Sequence, residues 1–135
     1  MKWKFACPGC RAVLNPNRRV VFRIEFGGER GLMLLSAELG DYLSICDQDF
    51  SAPIEKGNLV KFSCPVCDLE LSAPDNPRFA EILQLRPDQA PRRVRFSQVY
   101  GEHATFSVDG DQIESYGEHA ALFDNLNFSE TDRWW

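Results

Sequence analysis

Apolar and polar positions alternate along VVFRIEF (20–26), with Val20, Phe22, Ile24 and Phe26 on one face and Val21, Arg23 and Glu25 on the other. A period of two marks a half-buried β-strand. GGERG (27–31) then supplies the glycines of a hairpin turn, and LMLLSAEL (32–39) reads as the return strand. DYLSICDQDF (41–50) is rich in aromatic and β-branched residues and predicts a further strand; Pro53 and Gly57-Asn58 mark turns before a strand resumes at LVKFS (59–63). VRFSQVY (94–100), HATFSVDG (103–110) and DQIESYG (111–117) predict a β-meander turning at Asp109-Gly110.

Two stretches carry helical spacing instead. In RFAEILQL (78–85), Phe79, Ile82 and Leu83 fall on one helical face, and Asn76-Pro77 resembles an N-cap followed by proline at the first helical position. EHAALFDNLNF (118–128) predicts a short closing helix. SAPDNP (72–77) reads as a loop and RPDQAPRR (86–93) as a connector. The expected fold is therefore mostly β, with one or two short helices and a β-rich insert at 18–60. A C-terminal meander and tail occupy 92–135, all within one domain over 1–135.

The cysteines change the picture. KFACPGC (4–10) and KFSCPVC (61–67) repeat one phrase 57 positions apart, and each C-x-x-C pair is followed by an alternating segment and an Asn/Pro/Arg-bearing loop. Two such pairs are what four-thiolate tetrahedral metal sites are built from. Proline at the first intervening position fixes φ where the chain turns, and Gly9 suits a left-handed conformation at the second, where Val66 has less freedom.

With these residues in view the chain resembles a zinc ribbon: two knuckles on β-hairpins sharing one ion. The resemblance covers the knuckles and their flanks, residues 3–16 and 60–74. It implies Cys7, Cys10, Cys64 and Cys67 as the ligands of one Zn²⁺ per chain, with no catalytic residue. Fifty-three residues separate Cys10 from Cys64, more than the family usually has. Lengthening a loop from about 20 to about 53 residues adds only ~0.9 kcal/mol of closure entropy. A structural zinc contributes an apparent ~10–16 kcal/mol in small peptides, so the gap is tolerable.

Other uses of the pairs fit less well. A rubredoxin-like iron site shares the geometry, but that family has glycine after its knuckles where Arg11 and Asp68 stand here. A thioredoxin-like dithiol needs a helix after the pair, whereas DLELSAP alternates as a strand. No histidine follows either pair directly, which excludes haem attachment.

The remaining candidates read as structural. Cys46, beside Tyr42, Leu43 and Ile45, is expected in the core, and His103 and His119 as exposed or structural residues. GEHA occurs at 101–104 and again at 117–120, for which chance is the simpler reading. Trp134-Trp135 suits either a docked terminal anchor or an association patch. Neither a phosphate-binding glycine loop nor a nucleophile elbow is present.

Charge bears on partners. Residues 1–35 hold seven Lys/Arg against two acids, while the whole chain stands at −5. An acidic chain is repelled by phosphate backbones unless basic groups cluster. Arg18, Arg19, Arg92, Arg93 and Arg95, with Phe22 and Phe96, make nucleic-acid binding the alternative to the favoured reading, a non-enzymatic zinc-supported module that binds another protein. No run approaches the roughly 18 apolar residues of a membrane span, and MKWKFACPGC lacks the apolar stretch of a secretory signal, so a cytoplasmic setting is expected.

Overall fold

The computed structural model describes residues 4–110 and 112–123. It is mostly β, built from two open antiparallel sheets. β1 (Lys4–Ala6) starts the chain, followed by the hairpin of β2 (Arg19–Phe26) and β3 (Glu29–Ser36), then β4 (Ser44–Cys46) and β5 (Lys61–Ser63). β6 (Ser72–Ala73), β7 (Asn76–Arg86), β8 (Gln89–Ser97), β9 (Thr105–Asp109) and β10 (Gln112–Tyr116) follow. One sheet runs β4-β3-β2-β5, and the other runs β1-β7-β8-β9-β10 with β6 also on β7.

The alternation of residues 20–26 is realised as read: Val20, Phe22 and Ile24 are buried and Glu25 is exposed. Gly27 and Gly28 both take positive φ (63° and 80°), the two-residue turn whose twist matches the flanking strands. Because the turn uses only those two residues, β3 begins at Glu29, earlier than expected. The meander at 94–117 is present as β8, β9 and β10, with Gly110 (φ 61°) at the last turn.

Residues 78–85 are not helical. They form the middle of β7, which pairs with β8 along one side and with β1 and β6 along the other. Ala80, Ile82 and Gln84 are buried in strict alternation; the polar Gln84 interrupts the apolar period and made the helical spacing of Phe79, Ile82 and Leu83 look stronger. Pairing on both sides outweighs a weak local preference. Asn76 Oδ1 accepts from the Arg78 N–H at 3.2 Å, so the Asn-Pro signal opens a turn into a strand and caps no helix.

Neighbouring expectations shift with it. The loop read at 72–77 contains β6 and contracts to Pro74-Asp75, and the connector at 86–93 contracts to Pro87-Asp88, with Asp88 at φ 59°. The strand read at 41–50 shrinks to β4, three exposed residues on the edge of their sheet. Cys46 is accordingly exposed rather than in the core, because β4 has no neighbour on its outer side. The closing helix appears as a 3₁₀ turn at Ala120–Phe123; residues 124–128 and Trp134-Trp135 lie outside the described residues. No helix among the described residues is long and apolar enough to cross a membrane.

The sheets share one core. Phe5, Ile82 and Val94 from one pack with Phe22, Ile24 and Phe62 from the other. At its centre Phe22, Phe62 and Phe96 form a triad of rings with centroids 5.2–5.4 Å apart. Such tilted and edge-on pairs add about 0.5–1.5 kcal/mol each beyond their buried area. On the far side of the larger sheet, Phe79, Ala104, Phe106, Val108 and Ala120 form a second cluster.

Each C-x-x-C knuckle lies where the chain changes sheets. The first leaves β1 of the larger sheet and leads into β2 of the smaller; the second leaves β5 of the smaller and leads into β6 and β7 of the larger. In return, β1 pairs with β7 and β5 with β2, so each knuckle unit begins on the hairpin that follows the other knuckle.

Candidate metal centre

The two knuckles have the same backbone. Arg11 N donates to Cys7 O and Asp68 N to Cys64 O, both at 2.9 Å, closing one turn around each pair. Cys7 N donates to Ala12 O and Cys64 N to Leu69 O; Leu14 N donates to Phe5 O and Leu71 N to Phe62 O. The return segments are short, meeting their strands in single bridges at Ala6–Val13 and Ser63–Glu70. Even the outward N–H groups of Phe5 and Phe62 are matched, by the buried side-chain oxygens of Asn15 (2.7 Å) and Gln98 (2.9 Å).

The left-handed residue of each knuckle is the one after the second cysteine, Arg11 at φ 64° and Asp68 at φ 65°. This corrects the sequence reading, which assigned that conformation to Gly9. Gly9 is required for a different reason: a Cβ there would stand 2.7 Å from Leu69 Cδ2, so its lack of a side chain admits a residue of the other knuckle.

The four sulfurs interleave. Cys7 Sγ lies 3.7 Å from Cys67 Sγ and Cys10 Sγ 3.8 Å from Cys64 Sγ, and all four lie within 4.8 Å of one another. A tetrahedron of metal–sulfur bonds of about 2.3 Å has edges of about 3.8 Å, the spacing of zinc bound to thiolates. A disulfide would need about 2.05 Å. Gly9 N–H points at Cys7 Sγ (3.3 Å), and Val66 and Cys67 N–H at Cys64 Sγ (3.3 and 3.4 Å), which favours negative sulfur.

Burial sorts the ligands into pairs: Cys7 and Cys64 are buried, Cys10 and Cys67 exposed. Burial pushes the Cys7 thiol up to about 12 against the lowering from its backbone hydrogen bonds. For Cys10 the Ala12 backbone bond lowers the value, but burial and the neighbouring Cys67 and Cys64 outweigh it and leave it raised. Cys67 is lowered, chiefly by its Leu69 backbone bond. A divalent cation at the centre of these sulfurs offsets the burial that holds the Cys7 thiol high. Donor type, spacing and N–H surroundings thus suit a soft, tetrahedral ion, and these four cysteines are placed to hold a metal. No protein family matches the chain, and neither a curated protein nor a solved structure matches it.

The remaining candidates fall elsewhere. Arg95 is fully buried, donating to Glu81 (2.7 Å) and Asp75 (3.0 Å), so it is withdrawn from any nucleic-acid surface. Arg92 donates to Gln84 and lies 3.4 Å from Glu114; Arg93 lies 3.6 Å from Glu81. Arg18 is exposed and Arg19 half-buried.

The two GEHA copies, set aside as chance, meet. His119 N donates to His103 O and His103 N to His119 Nδ1, both at 2.9 Å, and His103 Nδ1 pairs with Glu118 at 3.0 Å. Gly117 (φ 99°) makes the contact possible, since a Cβ there would collide with the His103 carbonyl. His103, Glu118 and His119 have the spacing of a metal group, but the lone pair of His119 Nδ1 already accepts the His103 N–H. That fixes the His119 proton on Nε2 and leaves no lone pair for a metal. The repeat itself was the available signal, and it marks a structural joint.

Proposed function

We propose that this chain is a non-enzymatic zinc protein in which one ion, held by Cys7, Cys10, Cys64 and Cys67, locks two interlocked sheets and supports a surface that binds another protein. The observation that carries the zinc reading is the interleaving of sulfurs from both knuckles at 3.7 and 3.8 Å. Bound zinc supplies four thiolate bonds and, with all four positions closed, no site for activating water. The chain's own residues do the rest: backbone N–H groups orient the sulfurs, and the knuckles bring strands of both sheets to one point.

A protein partner is favoured over a nucleic acid by what the knuckles expose. Val13, Val66 and Leu69 are exposed, Val66 at 69%, whereas Arg95 is consumed by carboxylates. Metal analysis of the purified chain should find about one zinc per chain, and a chelator should unfold it. Two metals per chain, or a well-folded chain without any, would overturn the shared centre. Val66→Glu should abolish capture of the partner while leaving zinc content unchanged; capture that persists removes this face from the interface.

A further inference from the structure

Between the two sheets lies a cavity of about 270 Å³. Its apolar wall includes the rings of Phe22, Phe62 and Phe96 together with Met33, Leu35 and Val94. The polar residues that line it come from only two stretches, 36–44 and 97–105, and from Lys56. An apolar chamber with a few convergent polar groups is the usual form of a small-molecule site, and apolar cavities of roughly 150 Å³ already take up benzene.

The polar end is held in place. Tyr42, which follows the smaller sheet's β3, reaches the larger sheet, its hydroxyl 2.8 Å from Thr105 Oγ1 and 3.1 Å from Tyr116 O. The Tyr42 ring stacks on His103 with centroids 4.4 Å apart and planes 6° from parallel. Glu118 is a carboxylate and can only accept, so His103 Nδ1 carries the proton and donates to it. In the neutral ring Nε2 of His103 is then a lone-pair acceptor, and among the described residues no donor meets it. The joint between the GEHA copies thus sets the tautomer of a ring that lines the cavity.

Each wall narrows the ligand. Three phenylalanine rings favour an aromatic body over an aliphatic one. An acceptor at His103 asks for a hydroxyl donor. Among the charged lining residues Glu38 and Asp41 outnumber Lys56, and Glu102 is already engaged by Arg78, so an anion is disfavoured. We propose that this cavity binds a small neutral aromatic molecule bearing a hydroxyl group, its ring among Phe22, Phe62 and Phe96 and its hydroxyl donated to His103.

The test titrates the intact chain, with the metal it carries on purification, with 2-naphthol followed by ligand fluorescence, and with naphthalene by competition. Saturable binding of one 2-naphthol per chain is expected, about fivefold tighter than naphthalene, the worth of one neutral hydrogen bond. His103→Phe keeps a ring to stack on Tyr42 and should erase that preference while leaving naphthalene binding unchanged. Val94→Trp should fill the cavity and abolish both; if it does not fold, the His103→Phe comparison decides alone. No saturable binding of either compound, binding that survives a folded Val94→Trp, or a preference that survives His103→Phe overturns the proposal.

Discussion

The two knuckle units, 4–36 and 61–97, follow one plan with different side chains. Both open on Lys-Phe, close a turn on a left-handed residue and cross into the opposite sheet. Val21 N donates to Leu14 O and Glu81 N to Leu71 O, both at 2.8 Å, so the echo runs past the cysteines into the following hairpins. Yet the left-handed residues carry opposite charge. Asp68 is paired with Arg30 and lies 3.9 Å from Arg23, binding the second knuckle to the smaller sheet, while Arg11 is exposed. The buried amide that meets each phenylalanine N–H also comes from different places: Asn15 just after its knuckle, Gln98 at the far end of the second hairpin. Backbone geometry is what the two units share; the side chains satisfying it are interchangeable.

That comparison can be broken most severely at the larger sheet's buried ion group, which has no counterpart in the first unit. Arg95→Met removes the cation of Asp75, leaves Glu81 with only Arg93 at 3.6 Å, and should cost about 3–5 kcal/mol in denaturant unfolding. Replacing Arg95, Asp75 and Glu81 together by apolar residues should recover most of the loss, since the intact group is weakly stabilising at best. Asn15→Ala and Gln98→Ala should each cost about 1–3 kcal/mol by orphaning one buried N–H. Gln98 also donates to Ser72 and Pro77, so its variant should lie toward the upper end. A near-zero cost for either would separate the units.

Smaller effects sharpen the comparison. Gly9→Ala meets only the flexible end of Leu69 and should cost about 1 kcal/mol, at the low end of overpacking, whereas Val66→Ala, at an exposed position, should be nearly neutral. The smallest effect concerns acid. Hydrogen bonding from Arg78, assisted by Ser97, holds the Glu102 carboxyl below its ordinary value of 4.5. A lowered folded value means stability that is present above about 4.5 and lost as pH falls through the folded value. Arg78→Met should lower stability slightly at neutral pH, flatten its fall in unfolding measured between pH 6 and 3, and leave the acid end almost unchanged.

Legibility in the sequence followed the range of the interaction. The cysteine spacing and the alternation of Val20, Phe22 and Ile24 are local, and both were readable. So were the meander and its Asp109-Gly110 turn. β7 was not, because Gln84 occupies an inward position and the strand is defined by partners at Lys4–Ala6 and Arg92–Ser97. Cys46 has apolar neighbours in sequence, but edge position is a property of the sheet. Gly9 was recognised as special for its torsion, while its reason is a side chain 60 residues away. The meeting of the GEHA copies depends on β9 and β10 folding back, which no local pattern encodes.

The central claim is that each knuckle is incomplete without the other. Amide hydrogen exchange on Cys64→Ser, compared with the unaltered chain, tests it most directly at Cys7, Arg11 and Leu14, whose N–H groups close the first knuckle. These amides should lose protection as fully as those of Asp68 and Leu71 in the altered knuckle. Retained protection at Cys7, Arg11 and Leu14, with loss confined to the second knuckle, would contradict it.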